Sequence, residues 1–511
     1  MVDVSHLRAA LVALGLFLGG SAEPQRPQHS VAPGTATASQ QGSSASAQPV
    51  DWRKATRDDL LAAYDIFRAH HPGMFDPNNE GFPEQLRLAR NAALAFAAHV
   101  DDEEGHARAL ALFSFGLADA HARTQASYSG HGDILWPGFR TVWRGDALYV
   151  LGPVQSGPPP GSILLGCDGR TADSVIRDVF SWSYGRPSEA GQWWEDAPLT
   201  FERVKSPYEK LPQECSFRSS TGQELTYPLR WGPVPSDLLK AWFEAGSKRE
   251  PVGLTEPRPG IFLVTLSTFV PDEHGRAQYA QLFRDIDQKM GSMAVGRAIV
   301  VDLRHNHGGS SSWGDGVADR LWGEAAVKSK LADYFRNTKI WWLADAANIA
   351  HWRELAAQLR DQGRPPVNDG IGLLELASKL ELELKRGKHF YIEDYGATLA
   401  QDATQAQPRK LPPVYIIVDG GCVSACLDAL DDFTRFPGVK LMGAPTSADS
   451  NYIDIRFEPL PSGRGITILP TKIWVGRPRR AGQVYRPDIP VDDLDWTTAT
   501  MLDHVERDLA R

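Results

Sequence analysis

Three features are scarce or missing in this 511-residue sequence: apolar runs of membrane-spanning length, extended runs of lysine and arginine, and cysteine, of which there are four. A formal net charge of −9 without a basic run argues against a nucleic-acid partner. No stretch beyond the N-terminus is apolar for long enough to cross a bilayer, and no internal repeat is evident. With 42% apolar residues, a chain of this length can bury a large core in two to four domains.

The N-terminal 48 residues predict an exported protein. Residues 1–22 carry one arginine, an apolar stretch from Ala9 to Gly20 and small residues ending at Ala22, which predicts a signal peptide. A retained anchor is the alternative, and no cysteine follows the run to accept a lipid. Residues 23–48 are rich in Pro, Ser, Ala, Gln and Gly, which predicts a disordered linker. We therefore expect a periplasmic or secreted protein with no membrane span after signal cleavage.

In an exported chain, four cysteines permit two disulfides. Cys167 and Cys215 lie on separate predicted strands and could bridge them. Cys422 and Cys426 are four residues apart at a predicted helix start, where a bridge would need a non-helical first turn.

The remaining sequence changes character several times, and hydrophobic periodicity gives its organisation. Near-continuous apolar runs such as AIVVDL and VYIIV are typical of strands buried on both faces of a parallel sheet, so we predict an α/β fold. The predicted units are an N-terminal helical domain (49–130), a β-rich domain (131–235), an α/β core (255–325 and 410–495), a helical insertion within that core (326–409) and a C-terminal helix (496–511).

A serine in VDGGCVSACLDAL, Ser424, lies where an apolar strand and two glycines meet a predicted helix. A helix N-terminus offers free N–H groups and the positive end of a dipole, which suit a serine nucleophile and its oxyanion. An ordinary helix-capping serine is the alternative. No Gly-x-Ser-x-Gly elbow surrounds any serine, which argues against an α/β-hydrolase esterase.

A second strand runs into a glycine turn in VVDLRHNHGGSSSWG, where Gly308 and Gly309 let backbone N–H groups approach a ligand. A simple tight turn is the alternative. No Gly-Lys-Ser/Thr follows, so a phosphate loop is not expected. His305 and His307 have no third ligand nearby in the sequence, and we predict neither a metal nor a cofactor.

These segments together resemble the S41 serine peptidases, the tail-specific or C-terminal processing peptidases. DLRHNHGG (residues 302–309) resembles the family's Asp-Leu-Arg-x-Asn-x-Gly-Gly strand end, and Ser424 with Ala425 matches its Ser-Ala at a helix start. FGLADAHARTQ resembles the Asp-Gly-His-Thr segment, and VYRPDIPVDD resembles the closing Pro-Asp-Ile-x-Val element. The order of motifs agrees across residues 55–493.

The resemblance implies a ClpP/crotonase-like α/β core with an embedded PDZ-like β domain, which is degenerate here because Gly161-Ser162 replaces the usual Gly-Asp. It also implies that Ser424 is the nucleophile. The oxyanion hole would then come from the backbone N–H of Ala425 and of Gly308 or Gly309.

The general base is where the sequence departs from the processing peptidases, because Asp449 occupies the place of their catalytic lysine. The tricorn branch instead uses a histidine from the Asp-Gly-His-type segment, and His121 matches that position. A buried structural histidine is the alternative. That branch's orienting glutamate has no counterpart before Asp488, and Asp119 and Asp449 both remain candidates for its role.

Two functions follow as hypotheses. The first is an exported serine endopeptidase that cleaves unfolded proteins or peptides through an acyl-enzyme on Ser424, with His121 as base. The second is a catalytically inactive protein on the same scaffold that binds peptide or apolar ligands.

Overall fold

A computed structural model describes residues 50–511 except 128–132, 153, 248–249, 362–366 and 369–370. The predicted signal peptide (1–22) and nearly all of what precedes the first helix, including the linker (23–48), lie outside the described residues. Within the described ranges, no helix has both the length and the apolar character needed to cross a membrane.

The helices, numbered in chain order, are α1 (Trp52–His70), α2 (Phe82–Ala97), α3 (Glu103–Leu117), α4 (Ala172–Ser183), α5 (Ala190–Asp196), α6 (Ser236–Ser247), α7 (Glu273–Ala294), α8 (Ser312–Trp322), α9 (Glu324–Tyr334), α10 (Ala346–Asp361), α11 (Leu373–Lys385), α12 (Tyr395–Asp402), α13 (Ala425–Phe433) and α14 (Thr498–Leu509). The strands are β1 (Arg123–Ala126), β2 (Ile134–Trp136), β3 (Arg140–Arg144), β4 (Ala147–Leu151), β5 (Ile163–Cys167), β6 (Arg170–Thr171), β7 (Arg203–Val204), β8 (Glu214–Arg218), β9 (Glu224–Pro228), β10 (Gly232–Pro233), β11 (Gly253–Arg258), β12 (Ile261–Thr265), β13 (Ala298–Asp302), β14 (Lys339–Leu343), β15 (Val367–Asn368), β16 (Ile371–Gly372), β17 (Phe390–Glu393), β18 (Val414–Val418), β19 (Val439–Gly443), β20 (Tyr452–Pro459), β21 (Gly465–Val475) and β22 (Ile489–Pro490).

The central sheet has the strand order β11-β12-β13-β18-β19-β22. Strand β11 is antiparallel to β12, and the other neighbours are parallel. Every residue of β12, β13 and β18 is buried. Alternate side chains explain this: Val301 and Ile416 pack with α7, α8 and α13 on one face, whereas Val300 and Ile417 pack with α14 on the other. The prediction of an α/β protein is confirmed.

The N-terminal helices α1, α2 and α3 pack around their own apolar cluster, which includes Leu60, Phe67 and Phe113. Asp51 and Asp102 cap α1 and α3 by accepting backbone N–H groups three residues ahead. The chain then forms β1, so the segment predicted as wholly helical ends in a strand.

A second sheet, in the order β1-β21-β14-β17 with β20 paired to β21, joins distant parts of the chain. The prediction that the segment 326–409 is helical missed four strands, which are the short pair β15 and β16 and the two that join this sheet, β14 and β17. Strands β14 and β17 pack with α10 and α11 around buried Trp342 and Trp352. Strands β20 and β21 also lie outside the central sheet, although the sequence assigned them to the α/β core.

The β-rich domain is built on the strand order β3-β4-β5-β8-β9, with β6 paired to β5. Helix α4 packs on this sheet through Val175, Ile176 and Phe180. Cys167 and Cys215 are direct partners on β5 and β8 and form a disulfide. Strands β10, β2 and β7 form a smaller sheet in that order.

Candidate active site

Ser424 lies in the turn between β18 and α13, with a backbone φ of 57° and ψ of −129°. Few residues with a side chain adopt a positive φ, and those that do cost of order 1–3 kcal/mol. Ser424 occupies the N-cap position of α13, but its side chain makes no capping hydrogen bond. The alternative of an ordinary capping serine is therefore not what the geometry shows, and the hydroxyl remains available for another role.

Two aspartates fix the loops that follow β13 and β18. Asp302 accepts the backbone N–H and the guanidinium of Arg304 at 2.6–3.1 Å. Asp419 accepts the N–H of His305 at 2.9 Å and that of Gly421 at 3.0 Å. Because Asp419 bonds to both loops, the glycine loop and the serine turn are held side by side at the carboxyl ends of adjacent parallel strands.

The glycine loop touches the serine turn at Gly308. A Cβ added at Gly308 would lie 2.8 Å from Ser424 Cβ and 3.1 Å from the backbone nitrogen of Ala425. Ala425 is the first residue of α13, so its N–H has no acceptor within the helix. The Gly308 N–H donates to Asn306 Oδ1 at 3.0 Å. The structure therefore brings Gly308 and Ala425 together beside Ser424.

Gly309 packs against the backbone of Phe269. A Cβ there would lie 2.1 Å from the carbonyl oxygen of Phe269, and the two residues form an isolated parallel bridge. Of the two predicted oxyanion glycines, Gly308 is the one in contact with Ser424.

Asp449 contacts the serine turn through the backbone. Its Oδ1 accepts the Ser424 N–H at 3.0 Å, and its Oδ2 accepts from Arg479 at 3.2 Å. Burial acts to raise the pKa of this carboxyl, but the attraction of Arg479, His121 and Arg477 outweighs burial and holds the pKa below its ordinary value. Asp449 is thus an ionised carboxylate.

His121 lies between α3 and β1, and its side chain is 3% exposed. Its Nδ1 is 4.0 Å from Asp119 Oδ1 and has no hydrogen-bond partner. The same Asp119 oxygen accepts the His121 backbone N–H at 2.8 Å. Burial raises the pKa of Asp119, against the attraction of His121. In the described part of the chain, no direct hydrogen bond joins the His121 ring to Ser424 Oγ, and Asp449 is the group that interacts with both residues.

A cavity of about 250 Å³ opens beside these groups. At one end it is lined by His121, Gly421, Val423 and Ser447. It extends between the N-terminal helices and the β-rich domain, where Trp182 and several arginines and acidic residues line it. The cavity is large enough for a peptide side chain or a short peptide segment next to the serine turn.

A buried network of charges lies behind α13, and the sequence reasoning missed it. Arg479 donates to Asp428 at 2.7 Å and to Asp431 at 3.0 Å, in addition to Asp449. Arg477 pairs with the same two aspartates of α13. The sequence contains a usable signal for this network. Two acidic residues lie on the predicted helix that follows Ser424, and RPRR follows an apolar strand later in the chain. Buried charges require partners, so these acidic and basic residues are candidates to pair.

The candidate cysteines and histidines lie in or beside the serine turn and the glycine loop. Cys422 and Cys426 form a disulfide that encloses Ser424. His305 is more than half exposed beside Asp419, and His307 lines the cavity. Over the described residues, no group of three or more His, Cys, Asp or Glu side chains could hold a metal ion.

No family model matches this sequence, and no curated protein matches it. Solved structures do match. Mature CPAF complexed with lactacystin aligns with a TM-score of 0.55 at 13% identity, over 90% of this chain and 97% of that one. Mature CPAF alone gives 0.53 at 13% identity, over 86% and 92%. A photosystem II D1 C-terminal processing protease gives 0.36 at 15% identity, over 89% and 98%.

The likeness to CPAF spans nearly the full length of both chains, so this chain has the same fold. The structural resemblance to S41 peptidases expected from the motifs is confirmed at the level of the fold. At 13% identity this likeness is one of fold.

Proposed function

We propose that this protein is an exported S41-type serine peptidase that cleaves peptide bonds in unfolded proteins or peptides through an acyl-enzyme on Ser424. One observation carries the proposal: Ser424 stands at a helix N-terminus with a positive φ and leaves its hydroxyl out of the capping bond that its position offers. A strained residue with an unused hydroxyl, at the carboxyl end of a buried parallel strand, is typical of a nucleophile.

His121 is the proposed general base. Its Nδ1 faces Asp119, so the other ring nitrogen is the one to take the proton from Ser424 Oγ and return it to the leaving amine. The imidazolium formed in this step is attracted by ionised Asp449. Asp449 cannot itself replace the family's lysine as base, because its lowered pKa makes it a poor proton acceptor.

Oγ attacks the scissile carbonyl carbon, and the oxygen of that carbonyl becomes an oxyanion. The Ala425 N–H is the donor that the fold leaves open to it, whereas the Gly308 N–H must first leave Asn306 Oδ1. Departure of the amine leaves an ester on Ser424, which water hydrolyses with His121 again acting as base.

The β-rich domain supports internal cleavage over recognition of a chain end. In processing peptidases the PDZ-like domain holds a substrate carboxylate by backbone donors. Here the Gly161 N–H donates to Val150 O at 2.8 Å and the Ser162 N–H donates to Pro159 O at 3.1 Å. Both amides of the Gly161-Ser162 turn are therefore already used.

Two disulfides support function in an oxidising compartment, in agreement with the predicted signal peptide. The second candidate function is a binding protein without turnover. It is favoured by the absence, in the described chain, of a direct bond between His121 and Ser424 Oγ, together with the replacement of the lysine by Asp449.

Fluorophosphonate labelling of the purified protein separates the two functions. We expect covalent labelling at Ser424, located by peptide mapping, no labelling of Ser424→Ala and at least about 100-fold slower labelling of His121→Ala. Ser310→Ala, an exposed serine of the glycine loop, is the matched control and should label at the wild-type rate. A folded wild-type protein that stays unlabelled would overturn the peptidase proposal and favour ligand screening.

A further inference from the structure

The disulfide between Cys422 and Cys426 closes a small ring around Ser424. Cys422 lies in the turn after β18, Cys426 is the second residue of α13, and neither is exposed. The bridge has a separation of only four residues, so Ser424 is the middle residue of the loop that it closes. Every backbone rotation that sets the position of Ser424 Oγ falls within this ring.

The first turn of α13 is shaped by this closure. The Cys426 N–H donates to Val423 O at 3.2 Å and the Leu427 N–H donates to Ser424 O at 2.8 Å, so the first hydrogen bonds of α13 span three residues and are of the 3₁₀ type. Such a turn without α-helical geometry is what two cysteines at this spacing require. The turn also contains the positive φ of Ser424, which an unconstrained chain would relax.

Backbone hydrogen bonds hold both sides of the serine, because its carbonyl oxygen accepts the Leu427 N–H at 2.8 Å and the Asp428 N–H at 3.3 Å. Asp449 fixes the Ser424 N–H, and Asp419 fixes Gly421 before the ring. None of these contacts links the two ends of the loop that contains Ser424. The disulfide does so, because it ties the residues on both sides of Ser424 to one distance, with Cα atoms 5.3 Å apart.

We propose that Cys422 and Cys426 are positioning residues whose disulfide holds Ser424 in its reactive conformation, so that the active site is complete only when this bridge is oxidised. This inference rests on the proposed peptidase function. Reduction breaks one S–S bond and adds two electrons and two protons to give two thiols. A dithiol reductant supplies both and becomes a cyclic disulfide.

The second disulfide provides a matched control. Cys167 and Cys215 are buried to the same degree but join two strands of the β-rich domain, 48 residues apart in sequence. Their bridge contributes to stability by constraining the unfolded chain, and it does not touch the serine turn. Removing each bridge in turn therefore distinguishes an effect on the position of the nucleophile from an effect on overall stability.

The test is the saturation kinetics of fluorophosphonate labelling for wild type, Cys422→Ala/Cys426→Ala and Cys167→Ala/Cys215→Ala, with circular dichroism to establish that each is folded. We expect the first double variant to lose at least about tenfold in the maximal labelling rate while the probe's binding constant changes less than about twofold. The second should label at the wild-type rate even if it melts earlier.

Treatment with dithiothreitol covers the case in which Cys422→Ala/Cys426→Ala does not fold. The Cys167→Ala/Cys215→Ala protein keeps one disulfide, and alkylation followed by mass measurement reports when that bridge has opened. We expect its labelling to fall as the bridge opens and to recover on reoxidation.

Full labelling of the folded protein with this bridge open, or of folded Cys422→Ala/Cys426→Ala, would overturn the inference. Failure of the peptidase proposal would give a different result from failure of this inference, because the oxidised wild type itself would then stay unlabelled.

Discussion

Asp449 is the residue that the motif comparison predicts in the place of the processing peptidases' lysine, and a carboxylate and a lysine have different chemistry. A lysine acts as a base when burial keeps it neutral. Asp449 is also buried, but Arg479 keeps its carboxylate ionised through a hydrogen bond and through its positive charge. Its Oδ1 binds the Ser424 backbone and its charge attracts His121. Asp449 therefore orients the serine turn and stabilises positive charge near it, which agrees with the proposal that His121 is the base.

Asp449→Asn tests this role at the scale of one residue. The amide oxygen can still accept the Ser424 N–H, but the negative charge that favours the His121 imidazolium is lost. We expect the labelling rate to fall by about 100-fold or more, with an unchanged location of the label at Ser424.

Asp508→Asn is the control, because Asp508 lies on α14, outside the site, where its carboxylate accepts from Lys440 and Tyr415. A labelling rate within about twofold of wild type for a folded Asp449→Asn protein would show that the charge has no part in the reaction.

At the scale of elements, the segment containing α5 docks on the loop that carries Asp449. Glu189 pairs with Arg186 and accepts the Ala448 N–H at 3.0 Å. The Gly191 N–H donates to Thr446 O at 3.1 Å. The Gln192 side chain donates to Ser447 Oγ at 2.9 Å. The β-rich domain thus holds the loop of the central sheet from which Asp449 reaches Ser424.

Gly191→Ala should loosen this docking. A Cβ at Gly191 would lie 2.2 Å from the Ser447 nitrogen and 2.6 Å from the Gly420 carbonyl oxygen, so the backbone of α5 or of the loop must move. We expect labelling to slow by about 10- to 100-fold, because small displacements of catalytic groups are costly.

Gly291→Ala is the matched control, since Gly291 is in α7 with open space at its Cβ. This change should leave labelling unaltered and raise the free energy of unfolding by about 0.5–1 kcal/mol. Equal labelling rates for the two alanine variants would contradict a role for the docking.

At the scale of the whole molecule, the sequence predicts elements that depend on local patterns and misses those that depend on residues far apart in the chain. The runs AIVVD and VYIIV predicted buried parallel strands, because both faces of β13 and β18 are covered. Strand β14, KIWWL, has a mixed pattern and depends on pairing with β21, which lies more than 120 residues further along the chain. No local pattern encodes such a pairing.

The same distinction applies to the candidate site. Ser424 and His121 were found because each lies in a short motif. The contacts of Arg479 with Asp449 and of Glu189 with Ala448 join residues 30 and 259 positions apart, and only the folded chain brings them together. The geometry also distinguished Gly308 from Gly309, which the spacing alone could not do.

One buried and two half-buried titratable groups make the stability of the whole molecule depend on pH in two opposite ways. Burial lowers the pKa of His71 to about 3, and burial followed by repulsion from Arg456 lowers that of His351 to about 4. Their neutral forms favour folding above the ordinary histidine range, and this stability is lost as pH falls. Burial raises the pKa of Asp196 to about 7, against the attraction of Arg186. For this carboxyl, stability is present at low pH and is lost as pH rises toward neutrality.

Asp196→Asn isolates the second effect. In the wild type, the folded state binds the Asp196 proton between about pH 4 and about pH 7 while the unfolded state releases it, so the free energy of unfolding falls across this window. The asparagine cannot ionise, and both proteins share the contributions of His71 and His351. We expect the unfolding free energy of wild type minus that of the variant to decrease by up to about 4 kcal/mol from about pH 4 to about pH 7.

Urea unfolding at several pH values measures this difference, with exposed Asp333→Asn as the control. A difference between wild type and Asp196→Asn that stays constant with pH would show that this carboxyl is ionised in the folded protein throughout.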